Sequence, residues 1–232
     1  MRRLIHFRAY LTKHLDNFRG RYYDLIHNVD TFSFVSKHAV RVESENREFG
    51  LPYQGTPART IHTLFDKLNS SEDATFIDFG CGKGVTLLAA AKHSFGKIIG
   101  VEYSSDLVAI ARRNVMRYRG PLRSRKNMLI VHGDATSFVF PPTPLVCYFY
   151  NPFLPVVMET VLDNLAASWR ECPREVRLVF HIRYSRDLVL SKFRILEFES
   201  IPYFHIYQVA SENERQENES GQNKVWETID TE

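Results

Sequence analysis

The chain has 232 residues, of which 44% are hydrophobic and 25% charged, enough for one core of ordinary size with flanking segments and no need of a disulfide or metal staple. No stretch reaches the ~18 uninterrupted apolar residues of a membrane span, and a formal charge of +3 does not mark a dedicated nucleic-acid binder. Cys81, Cys147 and Cys172 lack the paired spacing of a zinc site or a secreted disulfide framework, so a reducing cytoplasm is the expected compartment.

The opening "MRRLIHFRAYLTKHL" is basic but has neither the continuous apolar core nor the cleavage site of a secretory signal. A mitochondrial transit peptide is weakened by Asp16 and Asp24. Residues 1–55 read as an aromatic-rich helical or lid extension, either two helices or a helix and a loop, that ends in "FGLPYQGTPART", whose "LPYQGTP" is the expected lid. There Thr56 can cap and Pro57 can start a helix, with Ile61, Leu64, Phe65 and Leu68 on its apolar face.

From Thr75 short β-rich runs alternate with helical stretches. The runs "TFIDF", "KIIGVE", "MLIVHGD", "LVCYFYN" and "VRLVFHI" are expected strands. Lys83 to His93, Ser105 to Met116 and a segment with Met158, Val161, Leu162, Leu165 and Trp169 on one face are expected helices. "RILEFES" and "PYFHIYQVA" make a closing hairpin around Ile201-Pro202. Strands buried on both faces by intervening helices imply an α/β, Rossmann-like doubly wound sheet that binds ligands at the carboxyl ends of its strands. Residues 56–210 are the expected domain, and the polar, acidic stretch 211–232 has little to bury and is expected to be poorly ordered.

Gly80, Gly82 and Gly84 follow the first strand directly and open the next helix, where missing Cβ atoms permit a tight turn and close approach of backbone N–H groups to a ligand. The second strand ends in Glu102, about twenty residues on, where a carboxylate can accept from ribose hydroxyls. Asp78, Glu102 and Asp134 lie at three successive strand ends. Such a rim repels a pyrophosphate and suits a ligand carrying ammonium and sulfonium charges. The dinucleotide pattern G-x-G-x-x-G also fails, because Val85 stands at its last glycine. Read singly, Asp78 and Asp134 could each merely cap a turn, and Cys81 reads as a small loop filler. The nine histidines show no ligand spacing, so no metal is expected.

"DFGCGKG", "GVE", "HGDA" and "NPF", in this order, resemble the class I S-adenosylmethionine-dependent methyltransferases over roughly Thr56 to Val209. The resemblance implies seven strands with a C-terminal antiparallel hairpin. It implies S-adenosyl-L-methionine as cofactor, with Gly80, Gly82 and the neighbouring backbone of Cys81 and Gly84 around its methionine part and Asp78 near its amino group. Glu102 would hold the ribose, Tyr103 would stack on the adenine, and Asp134 with Ala135 would meet the adenine amine. Thr56 and Asn151 complete the implied cofactor set.

The fourth strand leads into "CYFYNPFLP", which faces the methyl group in this fold. Asn151 offers an amide oxygen and Pro152 a carbonyl, both able to accept from an amine N–H, while Phe153 supplies an apolar wall. The stretch is similar both to the (D/N)-P-P-(Y/F) motif of adenine and glutamine N-methyltransferases, with one proline missing, and to the N-x-F of Dot1-like protein-lysine methyltransferases. The expected reaction is methyl transfer to an amine nitrogen, by preference a protein lysine. The rivals are a small-molecule or nucleic-acid methyltransferase and a cofactor-binding module without turnover. The run Arg112 to Lys126, seven basic residues with no acid, reads as a solvated helix face and the loop after it, which ranks nucleic acid below protein as a partner.

Overall fold

The computed structural model describes residues 15–210, apart from 16, 37–38, 43, 52, 54, 57, 69–70, 123–126 and 182–185. Helix α1 spans residues 17–27. It is followed by α2 (Ala58–Lys67), β1 (Thr75–Phe79), α3 (Val85–Ala90), β2 (Lys97–Glu102), α4 (Ser105–Arg117), β3 (Met128–His132) and β4 (Leu145–Phe149). Then come α5 (Pro155–Glu171), β5 (Val176–His181), α6 (Arg186–Leu190), β6 (Ile195–Ile201) and β7 (Phe204–Val209). The strands form one sheet in the order β3-β2-β1-β4-β5-β7-β6. The first five are mutually parallel, and β7 enters antiparallel between β5 and β6. This is the expected Rossmann-like sheet with its closing hairpin.

Alternation along the strands divides the core in two. Ile77, Phe79, Ile99, Cys147, Phe149, Leu178 and Phe180 point to the side covered by α5. Phe76, Ile98, Val146, Tyr148 and Val179 point to the side covered by α2, α3 and α4. The expected apolar faces of α2 and α5 are the observed ones: Leu64, Met158, Val161, Leu162 and Leu165 are each 0% exposed. Burial of such side chains contributes ~1.5–3 kcal/mol apiece.

Several elements are shorter than their sequence patterns. α3 starts at Val85, because Gly80, Gly82 and Gly84 all have positive φ (73°, 53° and 82°) and the chain cannot become helical before them. β4 ends at Phe149, since Asn151 takes φ 49° and turns the chain. β3 ends at His132, after which Asp134 caps the short 3-10 turn Ala135–Ser137. Of the expected helix start at Thr56-Pro57, Pro57 lies outside the described residues, and the Thr56 hydroxyl bonds the Tyr148 hydroxyl at 3.1 Å. The end of the basic run, 123–126, and the stretch 211–232 also lie outside.

After α1 the extension holds little regular structure and is tied instead to the strand ends. Isolated bridges join Val42 to Ser104 and Gly50 to Phe153. Lys83, 1% exposed at its side chain, pairs with the Asp30 carboxylate at 2.9 Å and 3.0 Å, bonds the Ser33 hydroxyl, and sits over the Tyr53 ring. Asn114 of α4 receives the Asp30 N–H and donates to the carbonyls of Asp30 and Lys83. The extension is thereby anchored on the glycine loop through a buried ammonium. Removing only the acid leaves that charge poorly compensated, whereas an apolar replacement of the lysine does not. Asp30→Asn is expected to lower stability by about 1–3 kcal/mol, and Lys83→Met by clearly less, measured by urea unfolding; equal losses would contradict this account.

Candidate active site

At the carboxyl end of the parallel strands, β1 turns back on itself through the glycine loop. The N–H groups of Gly80 and Cys81 donate to the Val101 carbonyl at 2.9 Å and 3.1 Å, and Gly84 donates to Cys81 at 2.8 Å. A Cβ on Gly80 would lie 2.5 Å from the Pro152 ring, so the loops after β1 and β4 touch there. Beside them opens a cavity of about 330 Å³, within the range of small-molecule sites. Thr56, Asp78, Gly80, Cys81, Glu102, Tyr103, Asp134, Ala135, Asn151, Pro152 and Phe153 all line it.

Gly82 and Gly84 do not. A Cβ on Gly82 would lie 2.1 Å from the Tyr53 ring, so its bareness makes room for the extension rather than for a ligand, and its N–H donates to the Glu102 carboxylate at 2.9 Å. Gly84 serves as the left-handed cap of α3.

Glu102 accepts on its other oxygen from the Ser104 N–H at 2.9 Å. It is 3% exposed, and burial pushes its pKa up to about 6 against the pull of these backbone donors. Asp78, equally buried, is raised well above the carboxylate range by burial and then by the charge of Glu102, with the Thr86 hydroxyl opposing. Neither has an ion-pair partner among the described residues.

Asp134 is different. One oxygen accepts from the N–H and hydroxyl of Thr136 at 2.8 Å and 2.7 Å, and the other from Asn46 Nδ2 at 2.9 Å and from the Ser44 hydroxyl. Burial acts against it, but the bonds from Ser44, the Thr136 N–H and Asn46 hold its pKa below the ordinary value. All four acceptor positions of this carboxylate are therefore filled by the protein's own donors. The turn-capping reading of Asp134 describes its bonds, although the residue still borders the cavity.

Asn151 sits in the left-handed region with its Nδ2 3.2 Å from His181 Nδ1 at the end of β5. That contact leaves Oδ1 as the acceptor. Sequence reasoning read "LPYQGTP" as a lid, and Leu51 and Tyr53 of it line the cavity, but it missed Phe34, Asn46 and Gly50 of the extension, Tyr148 and Tyr150, and the His181 contact of Asn151. The alternation of β4 places Tyr148 on the face shared with Asp78 and could have flagged it; the extension has no periodicity from which to read its partners.

Residues 76–172 match a family model described as "Methyltransferase domain". Over 49 residues the chain is 41% identical to a ribosomal protein L11 methyltransferase of Dechloromonas aromatica (21% of this chain, 17% of that protein). Over 115 residues it is 26% identical to an rRNA adenine N-6-methyltransferase of Bacillus licheniformis (49% of this chain, 37% of that protein). The chain thus spans well under half the length of these relatives. Among solved structures, a predicted N6-adenine-specific DNA methylase from Listeria monocytogenes superposes with a TM-score of 0.51 at 13% identity, covering 67% of this chain and 51% of that one. The likeness is one of fold.

Glu102 has a folded pKa of about 6 against an ordinary 4.5, so the stability it contributes is fully present below about 4.5 and is lost as pH rises through about 6, on the order of 2 kcal/mol in all. Asp78 acts in the same direction. The ligand-free chain should therefore resist urea better near pH 5 than near pH 7, and Glu102→Ala should flatten that trend. Identical pH trends in the two proteins would contradict the assignment.

Proposed function

We propose that this chain is an S-adenosylmethionine-dependent methyltransferase acting on an amine nitrogen, with a protein side-chain amine as the first substrate class to test. The single observation that carries the reading is the pair of buried carboxylates, Asp78 and Glu102, lining one cavity with no ion-pair partner among the described residues. A buried charge without a partner is costly, and a ligand bearing positive charge relieves it. A pyrophosphate would make it worse.

The cofactor fits this donor set: Asp78, Glu102 and Tyr103 line one space, and there Asp78 could receive an ammonium and Glu102 has acceptor capacity left for ribose hydroxyls. When bound, S-adenosylmethionine supplies a methyl group already activated on a sulfonium cation. The rest is positioning. Asn151 Oδ1 and the Pro152 carbonyl can accept from the amine and turn its lone pair toward the methyl, while Phe153, Tyr150 and Phe34 form an apolar surround that keeps water from competing.

A second reading places the exocyclic amine of adenine in RNA at the same spot. It is favoured by the 115-residue match to an rRNA adenine N-6-methyltransferase and by the likeness of Asn151-Pro152-Phe153 to the motif of adenine N-methyltransferases. Labelled cofactor offered with peptides, RNA and metabolite pools separates the two, and cofactor affinity without any product would leave a binding module.

S-adenosylhomocysteine is expected to raise the melting temperature and NAD to leave it unchanged. Glu102→Ala should weaken S-adenosylhomocysteine by about 1.5–3 kcal/mol in calorimetry; undiminished affinity would move the ribose site elsewhere. Asn151→Ala should keep near-normal cofactor affinity while turnover, corrected for folded fraction, falls by about 10²-fold. An unchanged corrected rate would sink the amine-orienting role.

A further inference from the structure

Helix α1 carries its apolar face outward. Leu15, helical just ahead of α1, and Phe18, Tyr22, Leu25 and Ile26 within it recur at i, i+3, i+7, i+10 and i+11, one stripe of a helix, and all five are exposed, Phe18 at 71% and Leu25 at 78%. The opposite face is the one that packs on the protein: Tyr23 and His27 lie against the Tyr118 ring, Gly20 lies under Phe32, and Asp24 accepts from the N–H groups of Thr31 and Phe32. At 3.6 residues per turn Arg19 and Arg21, both exposed, fall on the two edges of the stripe.

The flanking sequence is basic as well. Residues 1–21 contain Arg2, Arg3, Arg8, Lys13, Arg19 and Arg21 against Asp16 alone. At its C-terminal end α1 meets the turn after α4, where the Arg119 N–H donates to the His27 carbonyl at 2.9 Å, and Arg112, Arg113 and Arg117 stand on α4 just before that turn. An apolar stripe edged by arginines matches a surface whose interior is hydrocarbon and whose rim is anionic, since the guanidinium groups can reach outward to phosphates while Phe18, Leu25 and their neighbours enter the acyl region. A second copy of this chain related by a two-fold axis would set these basic groups against each other. A nucleic acid would satisfy the arginines and leave leucine and isoleucine in water.

We propose that α1 docks the protein on an anionic lipid bilayer, lying in the interface without spanning it. Phe32 is wedged between Gly20 of α1 and Gly55 in the cavity wall, so the docked helix lies one aromatic ring away from the candidate active site. The docking does not depend on the methyltransferase reading.

Co-sedimentation of the full chain with vesicles tests it. Binding is expected to vesicles containing phosphatidylglycerol, to be much weaker with phosphatidylcholine alone, and to diminish with salt. Phe18→Glu with Leu25→Glu should reduce partitioning about 100-fold or more, with circular dichroism and the urea midpoint unchanged because both side chains are exposed. Arg19→Glu with Arg21→Glu should remove the preference for the anionic lipid. Full binding by the Phe18/Leu25 variant, or no sedimentation of the wild-type chain with phosphatidylglycerol vesicles, would overturn the proposal. So would an oligomer, or an RNA complex, that the same variant abolishes while vesicle binding is absent.

Discussion

Two carboxylates buried at the ends of neighbouring parallel strands set the terms for the whole site. Asp78 and Glu102 are each 3% exposed, and the backbone around them is organised to make that tolerable: Gly82 and Ser104 donate to Glu102, and Thr86 opposes the rise of Asp78. Only left-handed backbone at the glycine loop brings the Gly82 N–H to Glu102. What the loop does not supply is a positive charge. Lys83 of that loop is turned away toward Asp30, which leaves the acid pair without its ammonium.

The same lysine explains why the N-terminal extension belongs to the site. Its charge is buried and must be paired, and its partners Asp30 and Ser33 lie in the extension. Farther along, Ser44 and Asn46 fill one oxygen of the Asp134 carboxylate, Arg41 donates to one oxygen of Asp106 from Nε and Nη2 and to the other from its backbone N–H, and Gly50 bridges Phe153. Each tie lands at a different strand end. The extension therefore closes over the cavity from the β3 side to the β4 side, and any ligand that alters the Asp134 bonds acts on the extension as well.

Past these ties the molecule faces outward in two ways. At the cavity, Asn151 is turned by its left-handed backbone, and its contact with His181 engages the amide nitrogen and leaves the amide oxygen as a hydrogen-bond acceptor. On the flank, α1 joins the domain through Gly20, Tyr23, Asp24 and His27 and leaves its apolar stripe in solvent, the reverse of an ordinary surface helix. One ring, Phe32, separates the two regions.

Much of the architecture was legible in the amino-acid order because it is local or periodic. The spacing of Ile61, Leu64, Phe65 and Leu68, the stripe through Leu162 and Trp169, and the β-rich runs between helices each answer to a single face that must be buried, and alternation with helices implies parallel pairing. The glycine loop and the acids at strand ends were legible for the same reason, since a turn needs its residues in sequence. What only the tertiary structure decided are bonds between segments far apart in the chain: that Gly82 yields space to Tyr53, that one oxygen of Asp134 is taken by Ser44 and Asn46, that His181 meets Asn151, and that Lys83 is buried against Asp30. Such pairings obey no period. A polar side chain in an irregular segment takes whichever partner the packing of regular elements brings within reach, and that packing is settled by the burial of the whole core rather than by neighbours in sequence.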